Sequence, residues 1–168
     1  MATALDVARF FLASNPENSI NNLKLQKLVS YAQAVALAYL GQPLFPENIQ
    51  MWDKGPVVPE VYDAYREYDN KPIDRPKLDL QTFTPMERFV LAGINDMYAR
   101  NYTAEELRDK SHQDFPGEVG SREVVTQETL RVAFANNKLV EFFRRADRPV
   151  AKSSSYMPLG EFLDAVAN

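Results

Sequence analysis

The sequence predicts a mostly α, compact single-domain fold around a central buried helix, with at most a short β-hairpin. Three observations carry that expectation. Apolar residues recur at helical spacing through most of the chain. Helix-start signals are frequent. And 168 residues, 45% of them hydrophobic, suffice to enclose one core. The main domain is expected over residues 1–148, with 149–168 as a linker and a short C-terminal amphipathic helix.

The first helix is expected over Ala4–Ser14, with Leu5, Ala8, Phe11 and Leu12 on one face and "NPENS" ending it. Asn21 or Asn22 can cap the second, which runs to Leu40 and stops at Gly41, a residue suited to a helix C-terminus. Leu25, Leu28, Val29, Ala32, Val35, Ala36 and Tyr39 form a wide apolar face, and Leu23, Leu37 and Leu40 extend it. So broad a stripe belongs to an enclosed helix, the centre of the fold. Ile49, Met51 and Trp52 read as a short extended piece before a turn at Lys54-Gly55-Pro56. Pro59 fits a helical first turn, and Val58, Val61, Tyr62 and Tyr65 continue the stripe.

"DNKPIDRPKLDLQ" is expected to be a loop ending in a short strand at 77–81. Thr84-Pro85-Met86-Glu87 is a capping box with proline at the first helical position, and Met86, Phe89, Val90, Ile94 and Met97 follow on one side. Thr103-Ala104-Glu105-Glu106 opens another helix towards Ser111. "HQDFPGEVGSREVV" reads as a surface loop. Two further helical stretches, 126–136 and 139–145, meet at Asn136-Asn137. After "DRPVAKSSS", Leu159, Phe162, Leu163 and Val166 recur at helical spacing. A helix that short is marginal alone and needs a surface to dock on.

Composition removes several function classes. With no cysteine, disulfides, thiolate nucleophiles and cysteine zinc sites are excluded. A net charge of −4 disfavours nucleic acid as the main partner, and "FRRADR" at 143–148 fits a solvated helix end. The segment "MATALDVARFFLASN" lacks a basic start and a long apolar run, so it reads as a helix and not a signal peptide. No run approaches the roughly 18 apolar residues of a membrane span, and a cytoplasmic protein is expected, without membrane association.

Chemistry is sparse. His112 beside Asp114 is the one pairing that suggests a general base oriented by a carboxylate. No nucleophile, phosphate-loop or zinc-helix motif accompanies it, and no metal or cofactor is expected. The polar residues Lys24, Gln26, Lys27 and Gln33 interrupt the central helix. They can bond to loop carbonyls, or the two lysines can meet an acidic group on a partner.

Two motifs make the sequence nameable. "LKLQKLVSYAQ", with Leu23, Lys24, Leu25, Gln26, Lys27, Leu28, Tyr31, Ala32 and Gln33, precedes "MWDKGPVVPEVY", with Trp52, Gly55, Pro56, Val57, Val58, Pro59, Glu60, Val61 and Tyr62. This pair, in this order, resembles the Panacea-domain proteins, which include SocA-like antitoxins and phage-associated GepA-like proteins. The chain departs from the family pattern at Ser30, where a tyrosine is frequent. It departs again at Ser111–Gly117, which lacks the family's tryptophan.

The resemblance implies a non-enzymatic antitoxin that binds a cognate protein toxin encoded nearby. A second reading is a proteolytic adaptor that delivers the toxin to a AAA+ protease. Homo-oligomerisation stays open, as do an enzyme using His112 and a nucleic-acid regulator using Arg144, Arg145 and Arg148. The partner surface is expected at Lys24, Lys27, Tyr31, Trp52, Lys54, Gly55 and Pro56, with Leu159, Phe162, Leu163 and Val166 adding contacts.

Overall fold

The computed structural model describes residues 1–147. The expected tail helix with Leu159, Phe162, Leu163 and Val166, together with Arg148, lies outside the described residues.

Helix α1 (Ala4–Ala13) starts at a capping box in which Thr3 and Asp6 satisfy each other's backbone donors. Helix α2 (Asn22–Tyr39) starts on the side chain of Asn21 and closes at Leu40, with Gly41 following at φ +74°. Fifteen of its eighteen residues are buried, so α2 is the axis of the fold. Helices α1, α4 (Pro85–Ile94), α5 (Ala104–Asp114), α6 (Gln127–Phe134) and α7 (Lys138–Ala146) surround it, with the short α3 (Pro59–Tyr65) between α1 and α2. The result is the mostly α architecture that the spacing predicts.

The sheet is one strand larger than expected. Strand β1 (Ile49–Trp52) pairs antiparallel with β2 (Gly55–Val57) on one side and with β3 (Val124–Val125) on the other. The turn sits at Asp53-Lys54, so Gly55 and Pro56 belong to β2 and not to the turn. Gly55 has φ +101°, and an added Cβ would stand 2.9 Å from the Ser111 hydroxyl, so only glycine fits where β2 crosses α5.

Three other expectations are corrected. Residues 77–81 form no strand; the chain ends that loop in a single 3-10 turn, Leu80–Thr82, started by the Asp79 side chain. Its lone apolar alternation has no neighbouring strand to pair with. The helix from the Thr103 capping box continues through His112 to Asp114, because Phe115 plugs into the core and carries the stop. On the helix from the Thr84 capping box, Phe89, Val90 and Ile94 are buried and Met97 packs on the core as expected, but Met86 is exposed, and the helix widens into a π turn at Asn95–Ala99.

The core is aromatic. Tyr31 of α2 meets Tyr98, Phe115 and Phe134 edge-on, at centroid distances of 5.0, 5.1 and 6.0 Å. Phe143 of α7 packs on Tyr39 and Phe89, and its ring lies where a side chain on Gly93 would be.

Candidate functional site

The polar residues of α2 hold the backbone of the segments around it in place. Gln33 accepts from the Leu44 amide at 2.8 Å and donates to the Phe45 carbonyl at 2.8 Å. Gln26 accepts from the Val58 amide at 3.0 Å and donates to Asn22. Lys24 donates to the Ala99 carbonyl at 2.6 Å, and Lys27 to the Pro56 carbonyl at 2.9 Å. Each side chain thereby satisfies backbone groups that would otherwise be buried without a partner. Of the two readings open for these residues, bonding to the backbone of neighbouring segments is the one seen, although the two lysines reach the π turn and β2 and not loops.

Lys27 is fully buried, and it differs from an ordinary structural polar group. Burial, reinforced by Lys54 and Arg108, lowers its ammonium to about 7. A lysine lowered in the folded state gains a proton on unfolding over the interval between about 7 and its ordinary 10.5. Stability therefore rises with pH across that interval, by at most about 1.4 kcal/mol per pH unit. Lys27→Met removes this contribution. Urea unfolding at several pH values from 7 to 9.5 should show wild type gaining on the variant as pH rises. A gap independent of pH would contradict the burial of a near-neutral amine.

Above Lys27 opens a groove of about 470 Å³. Its walls come from five places: the start of α2 (Leu23, Gln26), the hairpin (Trp52, Lys54), Tyr62 of α3, the turn at Asp69-Asn70, and α5 (Glu105, Arg108). Arg122 closes the rim. Backbone bonds from Arg122 N–H to Met51 and from Gly120 N–H to Trp52 clamp its loop along β1. Its guanidinium then lies 4.2 Å from the centre of the Trp52 ring, which packs edge-on against Tyr62 at 5.0 Å. Arg122 and Asp69 both line this groove with positive φ, at 61° and 55°, a backbone arrangement that non-glycine residues adopt sparingly. A second polar recess of about 450 Å³ adjoins it, sharing Asn21, Asn70 and Glu105, with Lys24 in its wall.

The structure thus separates the sequence-predicted residues into two layers. Lys24, Lys27, Tyr31, Gly55 and Pro56 are buried, Lys27 at the groove, Lys24 in the wall of the second recess and Tyr31 in the aromatic core, while Lys54 is exposed and Trp52 half-buried at the groove's lip. Arg108 and Arg122 were not expected here. They come from 46 or more positions beyond Tyr62, and nothing local in "LRDK" or "GSREV" marks them.

The alternative sites find less support. His112 and Asp114 lie two positions apart on α5 and so do not face one another. Asp114 accepts instead from the Tyr31 hydroxyl at 2.7 Å and pairs with Lys110. Arg144, exposed on α7, is engaged within the chain, donating to the carbonyls of Ala135 and Ala38. Among the described residues, no three histidine or carboxylate side chains converge as a metal site, and no helix is long and apolar enough to cross a membrane.

Residues 25–116 match the family model described as Antitoxin SocA-like, Panacea domain, which is more than half of the chain. The chain belongs to this family. Neither the curated proteins nor the solved structures give a significant match. All the groove's α3 and α5 residues lie inside the matched segment, and Arg122 lies beyond it.

Proposed function

We propose that this protein is an antitoxin that neutralises a cognate protein toxin, encoded beside it, by direct binding in the cytoplasm and without a catalytic step. The family match over 25–116 carries this reading, because the matched segment contains the second motif and all of the first but Leu23 and Lys24, and builds most of the groove. Trp52, Lys54 and the groove behind them are the proposed contact surface, and Leu159, Phe162, Leu163 and Val166 are proposed to add toxin-specific contacts. Aromatic and arginine side chains around a recess are the residue types that dominate binding energy at protein interfaces.

The test is co-expression with the product of the neighbouring gene. That product should arrest growth alone, and growth should return when this chain is present. A neighbour that is harmless alone, or toxicity unaffected by the chain, would remove the proposal. The toxin's cellular level distinguishes the mechanisms: a constant level means blocking, and a level that falls only when a AAA+ protease is present means an adaptor. The same assay on a chain ending at residue 149 reports the tail's share.

A further inference from the structure

The chemistry of the groove specifies more than that something binds. Lys27, Lys54, Arg108 and Arg122 all line it, in a chain whose net charge is −4. Among the described residues, Lys27, Lys54 and Arg122 have no carboxylate within ion-pair distance. Arg108 pairs only with Asp109, its own sequence neighbour. Asp53, Asp69 and Glu105 also line the groove, yet none pairs with these cations. Lys27 lies buried and near neutrality below them, with Lys54 and Arg108 adding to the effect of burial. The three carboxylates offset the groove's charge as a whole, so the cations open to a ligand are Lys54 and Arg122, both exposed and without an ion-pair partner among the described residues.

Arg122 adds directional chemistry. Its guanidinium carbon lies over the Trp52 ring, 4.2 Å from the centre, and the guanidinium makes no hydrogen bond to another described residue. Its N–H donors are thus unused within the described chain, and a guanidinium can receive a carboxylate through two parallel bonds.

We infer that the groove receives an acidic segment of the protein partner, with one carboxylate on Arg122 beside Trp52 and another at Lys54. This rests on the antitoxin reading and deepens it by stating the chemistry of the toxin surface. The occupant is a polypeptide and not a nucleic acid. The groove is a bounded recess with an aromatic lip, and outside it the chain's excess of acidic residues repels a phosphate backbone.

The inference is tested with the full chain and the purified neighbouring toxin. Lys54 and Arg122 are exposed, so Lys54→Glu/Arg122→Glu should fold as wild type does, which circular dichroism and a thermal melt would verify. The double reversal should weaken toxin binding by about 100-fold or more, and Lys54→Gln/Arg122→Gln by less. Reversal of Arg9 and Arg131, which lie outside the groove, should leave affinity unchanged. Wild-type affinity should fall as salt is raised from 0.05 to 0.5 M, and Asp or Glu→Lys changes in the toxin should restore binding to the double reversal.

Wild-type affinity in the folded double reversal would overturn the inference while leaving the antitoxin reading intact. If wild type itself neither binds nor neutralises the toxin, it is that reading which fails. Tighter binding of a 20-base-pair DNA duplex than of the toxin, lost in the double reversal, would overturn the choice of a polypeptide.

Discussion

Tyr31→Ala should lower the stability of the domain by about 3–5 kcal/mol, the usual cost of emptying an aromatic site in a core. Tyr31 is fully buried, and its ring is the shared neighbour of Tyr98, Phe115 and Phe134, which belong to three different parts of the chain. Its loss opens a cavity between α2, α5 and α6 that the helices cannot close without leaving their hydrogen-bonded loops. A typical domain has only about 5–15 kcal/mol in total, so a substantial part of the population should unfold at moderate urea. Tyr31→Phe keeps the ring but removes the donor to Asp114. It should cost about 1–3 kcal/mol, because that half-buried carboxylate keeps Lys110 as its remaining partner. Urea titrations of the two variants check both figures. Equal losses would mean that the hydroxyl, and not the ring, is what matters.

Gln33→Met is the second large effect, and its cause is different. The substitution keeps the side chain's length and apolar stem, so little packing is lost. It strips the partners from the Leu44 amide and the Phe45 carbonyl, both enclosed with their residues fully buried. Each stranded backbone group costs about 1–3 kcal/mol, so the loss should be about 2–6 kcal/mol. Amide hydrogen exchange should locate it, with the Leu44 amide exchanging far faster than in wild type while amides of α5 change only as global stability does. Unaltered exchange at Leu44 would show that Gln33 does not hold this loop.

These two residues show what the sequence makes legible and what it conceals. Periodicity and capping chemistry are local, so α2 with its Asn21 cap, and the capping boxes at Thr84 and Thr103, can be read directly. Strand β3 is two residues long and exists because β1 offers it an edge, so a polar loop reading of that stretch had nothing local to correct it. The helical continuation through His112 depends on Phe115 finding the core next to Tyr31. That contact spans 84 positions and has no sequence period.

Lys24 and Lys27 fall between these cases. Their presence on an enclosed helix is visible in sequence, but their carbonyl partners, Ala99 and Pro56, lie 75 and 29 positions away. The groove is furthest from legibility. Trp52 and Lys54 belong to or adjoin a recognisable motif, whereas Arg108 and Arg122 reach the same recess only through the docking of α5 and the clamping of the 118–123 loop on β1.

The proposed account stands most directly on whether the protein forms a specific complex with a toxin. The decisive measurement mixes the purified full chain with the purified product of the neighbouring gene, follows the mixture by native mass spectrometry, and assays the toxin's activity in the same tube. The account predicts a complex of fixed stoichiometry and loss of toxin activity with no protease present. Two free species, with the toxin fully active in a mixture containing excess chain, would contradict it.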